Sequence, residues 1–176
     1  EMGLRTIAIE ASGDIGGVWH ANRYPGARCD VESYDYSYRF SPELEQEWRW
    51  TERYATQPEI LAYIHHVADR FDLWRDIELH TRMQHAEYDA ADARWLVTAV
   101  DGRRWRAARL ILAVGQHSTP KETVYPGQER FGGRIIYSAQ WPDERIDFTG
   151  KRVAIIGTGS SGVQMTPIIA RDAAQL

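Results

Sequence analysis

The chain is poor in cysteine, in long apolar runs and in excess charge, and each shortage excludes something. A single cysteine, Cys29, cannot close an internal disulfide, which fits a reducing cytoplasm. No apolar stretch approaches the ~20 residues that span a bilayer, and no basic-then-apolar leader opens the sequence. Lys and Arg total 21 against 25 Asp and Glu, so a net charge of −4 offers no whole-chain attraction to nucleic acid or an anionic membrane. Metal-ligand spacing is also missing. His65 and His66 are adjacent and point apart on a helix, and His20, His80, His85 and His117 form no pattern, so no metal is expected. What is plentiful is aromatic surface. Seven Trp and nine Tyr exceed ordinary core filling, which suggests that some line a ligand cleft.

The order of elements predicts a mixed α/β fold. Residues 5–10 read as a short buried strand ending in the carboxylate of Glu10. Thr56-Gln57-Pro58-Glu59 opens a helix on which Ile60, Leu61, Ile64, Val67, Ala68 and Phe71 recur at helical spacing. Short strands follow over 77–80, 84–88, 95–100 and 105–108, with Asp101-Gly102 as a hairpin turn. Residues 110–114 and 151–156 read as buried apolar strands, and 116–130, with Pro120, Pro126 and Gly127, as a connection. Arg103, Arg104, Arg106 and Arg109 flank Trp105 and read as a solvated strand face. Trp48 and Trp50 share a face if extended, serving either core or substrate packing.

Two glycine-rich turns are candidates for cofactor binding. Gly157-Thr158-Gly159-Ser160-Ser161-Gly162 directly follows Val153-Ala154-Ile155-Ile156 and opens a helical stretch, the context a dinucleotide-binding GxGxxG requires. Its glycines serve a tight turn, close approach of backbone to a pyrophosphate, and helix–strand packing, while the helix N-terminus offers N–H groups to phosphate. Pro167 lies inside that helix and should kink it. The second turn is Gly16-Gly17-Val18-Trp19, shortly after Glu10; its glycines let the chain pass close to a bulky ligand that Trp19 can wall, and by itself it reads equally well as a plain surface turn. In a βαβ nucleotide unit the second strand ends in an acid that binds a ribose diol, ~20 residues after the phosphate-cradling glycines. Those glycines would precede residue 1, and a strand expected after the second glycine motif would follow Leu176. The chain therefore reads as an internal piece, truncated at both ends, of an α/β, two-dinucleotide-binding, Rossmann-like oxidoreductase, the layout in which one site holds a flavin and the other a nicotinamide.

Longer blocks add a resemblance. Gly16-Gly17-Val18-Trp19, the run from Asn22 to Asp30 (NRYPGARCD), the run from Glu47 to Ile60 (EWRWTERYATQPEI), and the run from Phe131 to Pro142 (FGGRIIYSAQWP) resemble consecutive blocks of Baeyer–Villiger monooxygenases. The last is similar to that family's signature FxGxxxHxxxWP. The resemblance covers essentially the whole chain. It implies that Glu10 binds the adenosine ribose of FAD, that Gly17, Val18 and Trp19 line its pyrophosphate and flavin end, that Tyr36 also contacts FAD, and that the Met83 backbone meets the adenine. Arg28, Cys29 and Asp30 would lie beside the flavin where the nicotinamide docks. Asp30 would be the catalytic carboxylate, orienting an arginine that stabilises a flavin peroxide. Gly157, Thr158, Gly159, Ser160, Ser161, Gly162 and Gln164 would hold the NADP pyrophosphate. By the same resemblance, residues 1–118 belong to the FAD-binding domain, 119–150 form the linker with the signature, and 151–176 start the NADP-binding domain.

The implied activity is FAD- and NADPH-dependent insertion of oxygen next to a ketone carbonyl through that flavin peroxide. N- or S-oxygenation by the same cofactor pair is one alternative, and an inactive truncated fragment another; the isolated piece is expected to be inactive. The expected partners are a small ketone or heteroatom substrate and O2, without nucleic acid or membrane. Two positions depart from the family pattern. Tyr137 stands at the signature histidine; it keeps a hydrogen-bonding tip but cannot become cationic near neutral pH. Ala113-Val114-Gly115 stands where flavoproteins usually carry Ala-Thr-Gly, so Val114 lacks a hydroxyl.

Overall fold

The computed structural model describes residues 3–115, 117–121 and 123–176. Gln116 and Glu122, both in the connection expected over 116–130, lie outside the described residues. The described chain is mixed α/β and divides into two compact units, one of residues 3–15 and 64–115, the other of residues 16–63 and 117–176.

In the first unit, strand β1 (Ala8–Ile9) pairs in parallel with β2 (Ile77–Glu78), and bonds from Glu10 N–H to the Glu78 carbonyl (2.9 Å) and from Thr81 N–H to the Glu10 carbonyl (2.7 Å) extend the pairing. A separate antiparallel sheet has the order β3-β4-β5, comprising Met83–Asp89, Arg94–Ala99 and Arg104–Ala107. Its β4–β5 turn is the expected one: Gly102 takes φ +88°, and Asp101 accepts from the Arg103 backbone (3.1 Å) and side chain (2.8 Å). Arg103 also pairs with Glu78 and lies over the Trp105 ring, and Arg106 pairs with Asp92. Acids on the same unit thus neutralise part of the basic cluster. His65 Nε2 meets both Asp14 carboxylate oxygens, at 2.9 and 3.0 Å.

Helix α4 (Gln57–Arg70) forms where the apolar period places it, with Ile60, Val67 and Ala68 buried; residues 57–63 belong to the second unit. That unit also holds α1 (Val18–Ala21), α2 (Ser33–Tyr36), α3 (Pro42–Glu47) and α5 (Ser160–Ile169). An aromatic cluster packs around one of its buried residues. Tyr63, 1% exposed, has ring centroids of Trp50, Trp48 and Tyr38 at 4.9, 5.2 and 5.8 Å, and its hydroxyl accepts the Tyr38 N–H at 2.8 Å. Burial raises the Tyr63 phenol above its ordinary pKa, so it stays neutral. Trp48 and Trp50, both half-buried, therefore pack against Tyr63.

Three expected strands differ. The strand over 5–10 shrinks to β1, with residues 5–8 exposed, and 110–114 and 151–156 are mostly exposed and not laddered. Ile111 and Ile156 are 84% and 73% exposed. A parallel strand becomes buried only when neighbours hydrogen-bond both edges and helices cover both faces. Among the described residues these segments lack such neighbours. One pairing is begun: Arg152 bridges Gln175 in parallel, with Val153 N–H on the Gln175 carbonyl at 2.8 Å. The two segments on either side of α5 thus run parallel at this bridge, the chain direction that a βαβ unit uses.

Candidate dinucleotide-binding sites

The second glycine turn leads from residues 153–156 into α5. Gly157 has φ +114°, a left-handed conformation that a side chain would strain. A Cβ on Gly162 would lie 2.4 Å from the Gly157 carbonyl oxygen, so the first and third glycines are pressed together. Gly159, the N-cap, is different: a Cβ there meets nothing within 4 Å. No side chain caps α5 and no acid occupies its first turn. Exposed Thr158, Gly159 and Ser160 therefore surround a helix N-terminus whose N–H groups and partial positive charge are open to an anion, and a pyrophosphate fits that surface. The helix continues through Pro167, and the Thr166 hydroxyl donates to the Gly162 carbonyl (2.8 Å).

Gln164, one turn into α5, faces the unit's own chain. Its Oε1 accepts from the Tyr24 hydroxyl at 2.9 Å and the Arg28 N–H at 3.4 Å, and its Nε2 donates to the Arg28 carbonyl at 3.1 Å. Tyr24-Pro25-Gly26-Ala27 forms a type II turn, with Gly26 at φ +80° and Ala27 N–H on the Tyr24 carbonyl at 3.1 Å. Beyond it, Ala27–Cys29 pairs with 55–57: Gln57 N–H meets the Ala27 carbonyl at 2.8 Å and Cys29 N–H the Ala55 carbonyl at 2.9 Å. The Arg28 guanidinium pairs with Glu52 at 3.0 Å. Cys29 is buried, its sulfur accepting the Val31 N–H at 3.4 Å, while Asp30 is exposed at the end of the segment.

The first glycine turn lies in the same unit. Gly16 and Gly17 have φ +112° and +54°, and Gly17 caps α1 with open space where its Cβ would be. Trp19 donates its indole N–H to the Tyr36 hydroxyl, with the rings edge to face at 5.7 Å. Burial raises the Tyr36 phenol despite that bond, leaving a neutral hydroxyl whose oxygen is already an acceptor. The Trp19 carbonyl accepts from the buried Gln57 side chain. Sequence reasoning missed Gln57 and Tyr24; both sit within the family-like blocks, but only contacts distant in sequence reveal their roles.

Glu10 and Met83 belong to the other unit. Glu10 Oε1 takes both the Ser12 N–H (2.7 Å) and its hydroxyl (2.8 Å), so the carboxylate is held in place at the end of β1. Met83 opens β3 opposite Ala99, where the register shifts before His85. Tyr137 donates to the Thr123 carbonyl and accepts from Gln128 Nε2, both at 3.1 Å, so its polar tip ties these three residues together. Among the described residues, no group of three or more His, Cys, Asp or Glu is placed to hold a metal, and no helix is long and apolar enough to cross a membrane.

A family model described as flavin-binding monooxygenase-like matches residues 1–176. Acetone monooxygenase (methyl acetate-forming) of Gordonia sp. (strain TY-5) is 43% identical over all of this chain and 33% of its own length. Phenazine N-monooxygenase PhzNO1 of Lysobacter antibioticus is 41% identical over 93% of this chain and 30% of its own. The solved structure of an oxidized steroid monooxygenase bound to NADP superposes with a TM-score of 0.93 at 57% identity, over 99% of this chain and 33% of that one. The chain thus spans about a third of the length of the curated relatives it matches.

Proposed function

Because the chain belongs to the flavin-binding monooxygenase-like family, we propose that it is part of an FAD- and NADPH-dependent monooxygenase that inserts oxygen next to a ketone carbonyl. The carrying observation is the pair of glycine turns, each opening a helix that no side chain caps and each with an open glycine at the N-cap. When bound, the nicotinamide supplies hydride and the flavin supplies oxygen activation. The chain's own residues bind and orient. Gly157, Thr158, Gly159, Ser160, Ser161 and Gly162 receive the NADP pyrophosphate, whereas Gln164, expected with them, spends its amide on Tyr24 and Arg28. Glu10 takes the FAD ribose, the Met83 backbone meets the adenine, and Gly17, Val18, Trp19 and Tyr36 flank the rest of the cofactor. Arg28 and Cys29, fixed by pairing with 55–57, form the wall where the nicotinamide docks. Asp30, exposed at the end of that wall, orients a cationic partner; a carboxylate behind a cation fixes its position and keeps it charged.

In this reading residues 1–118 serve FAD, 119–150 link, and 151–176 begin the NADP domain, in a cytoplasmic enzyme acting on a small ketone and O2. Oxygenation at nitrogen or sulfur is the second reading, favoured by the likeness to a phenazine N-monooxygenase and by Tyr137 in place of the signature histidine. Product analysis separates the two. With NADPH and a substrate carrying both a ketone and a thioether, the first reading gives an ester or lactone and the second a sulfoxide.

A further inference from the structure

We propose that Gln164 is a positioning residue: its amide fastens α5 to the Tyr24–Arg28 turn and so fixes Arg28-Cys29-Asp30 relative to the second glycine turn. The inference rests on the nucleotide reading above and deepens it. An amide offers one acceptor oxygen and two N–H donors. Here the oxygen serves Tyr24 and the Arg28 N–H, and the nitrogen serves the Arg28 carbonyl, across 136 and 140 residues of sequence. Both polar groups of the Arg28 backbone are thus taken by one side chain, as a neighbouring strand would take them. The fit is tight, since a Cβ on Gly26 would lie 2.5 Å from the Gln164 carbonyl oxygen and 3.1 Å from Ile168 Cγ1. Only glycine, already at φ +80°, lets the turn approach the helix this closely.

The consequence is mechanical. The α5 N-terminus is where the pyrophosphate binds, and Arg28-Cys29-Asp30 is where the other end of the same dinucleotide must meet the flavin. The amide sets the spacing between these two ends. A residue acting in this way changes the geometry of hydride transfer more than the affinity for nucleotide, because a displacement of about 1 Å costs on the order of 100-fold in rate.

The test uses the intact FAD-loaded gene product and its Tyr24→Phe and Gln164→Leu variants. Anaerobic flavin reduction at saturating NADPH gives the rate, and perturbation of flavin absorbance by NADP+ gives the Kd. Both variants are expected to slow reduction by about fivefold or more, with Kd within about threefold of the parent. The double variant should be no slower than the slower single one, since both changes break one unit. A Gln164→Leu protein about tenfold weaker for NADP+, beside an unchanged Tyr24→Phe, would make Gln164 a nucleotide ligand and overturn the proposal. So would reduction rates within about twofold of the parent in both variants. Tyr24→Phe removes one hydroxyl and decides alone if Gln164→Leu does not fold. A parent protein whose flavin NADPH fails to reduce contradicts the nucleotide reading itself, an outcome separate from either of these.

Discussion

At the scale of residues, the glycines of the second turn separate folding from binding. Gly159 has an ordinary φ of −72° and open space where a Cβ would go, whereas Gly162 would drive a Cβ into the Gly157 carbonyl. Gly159→Ala is therefore expected to leave the melting temperature within about 2 °C while weakening NADP+ binding about tenfold or more, because the new methyl takes the place of the pyrophosphate. Gly162→Ala should lower stability by about 1–3 kcal/mol as the turn is forced apart. Thermal melts and NADP+ titrations on the two proteins check this, and equal losses of stability would contradict it. Tyr63 shows what periodicity hides. It lies three residues after Ile60 and four before Val67, on the same helix face, yet as a tyrosine it does not announce itself as core. Tyr63→Ala should cost about 3–5 kcal/mol in denaturant unfolding by emptying the aromatic cluster. Tyr63→Phe should cost about 1–2 kcal/mol by leaving the Tyr38 N–H unpaired.

At the scale of elements, local patterns were legible and long-range pairings were not. Helix α4 and the β3–β5 meander form near their expected positions because an apolar 3.6-residue period and an Asp-Gly turn act within a few residues. Residues 110–114 and 151–156 carry an equally clear apolar signal, but a parallel strand depends on distant neighbours, so the same signal yields exposed chain. The Gln164 amide could not have been read from sequence at all, since its partners lie 136 or more residues away. The β4–β5 turn has a pH signature. Hydrogen bonds from the Arg103 side chain, then its backbone N–H, hold the Asp101 carboxyl below the usual range. A depressed folded-state pKa contributes stability that is fully present above the unfolded value of about 4 and lost as pH falls through the folded value. Asp101→Asn should flatten the acid limb of the melting-temperature profile below about pH 4, and an unchanged limb would show that the turn does not depend on this ion pair.

At the scale of the whole molecule, the residues expected to serve the cofactors fall in both compact units. Glu10 and Met83 lie in one; Gly17, Trp19, Tyr36, Arg28, Asp30 and the turn of α5 lie in the other. The family was legible because its long ordered blocks run through the chain, and the family model matches all 176 residues. The choice of substrate was not, because the chain spans about a third of the length of its relatives. The measurement that tests the central claim most directly follows oxygen. The intact FAD-loaded gene product is given NADPH, a cyclic ketone and isotopically heavy O2, and the products are weighed by mass spectrometry. The account predicts a lactone carrying one heavy oxygen, the second oxygen leaving as water, with one NADPH oxidised per lactone. NADPH oxidation that yields hydrogen peroxide and leaves the ketone untouched, while a sulfide or amine is oxygenated, would contradict it.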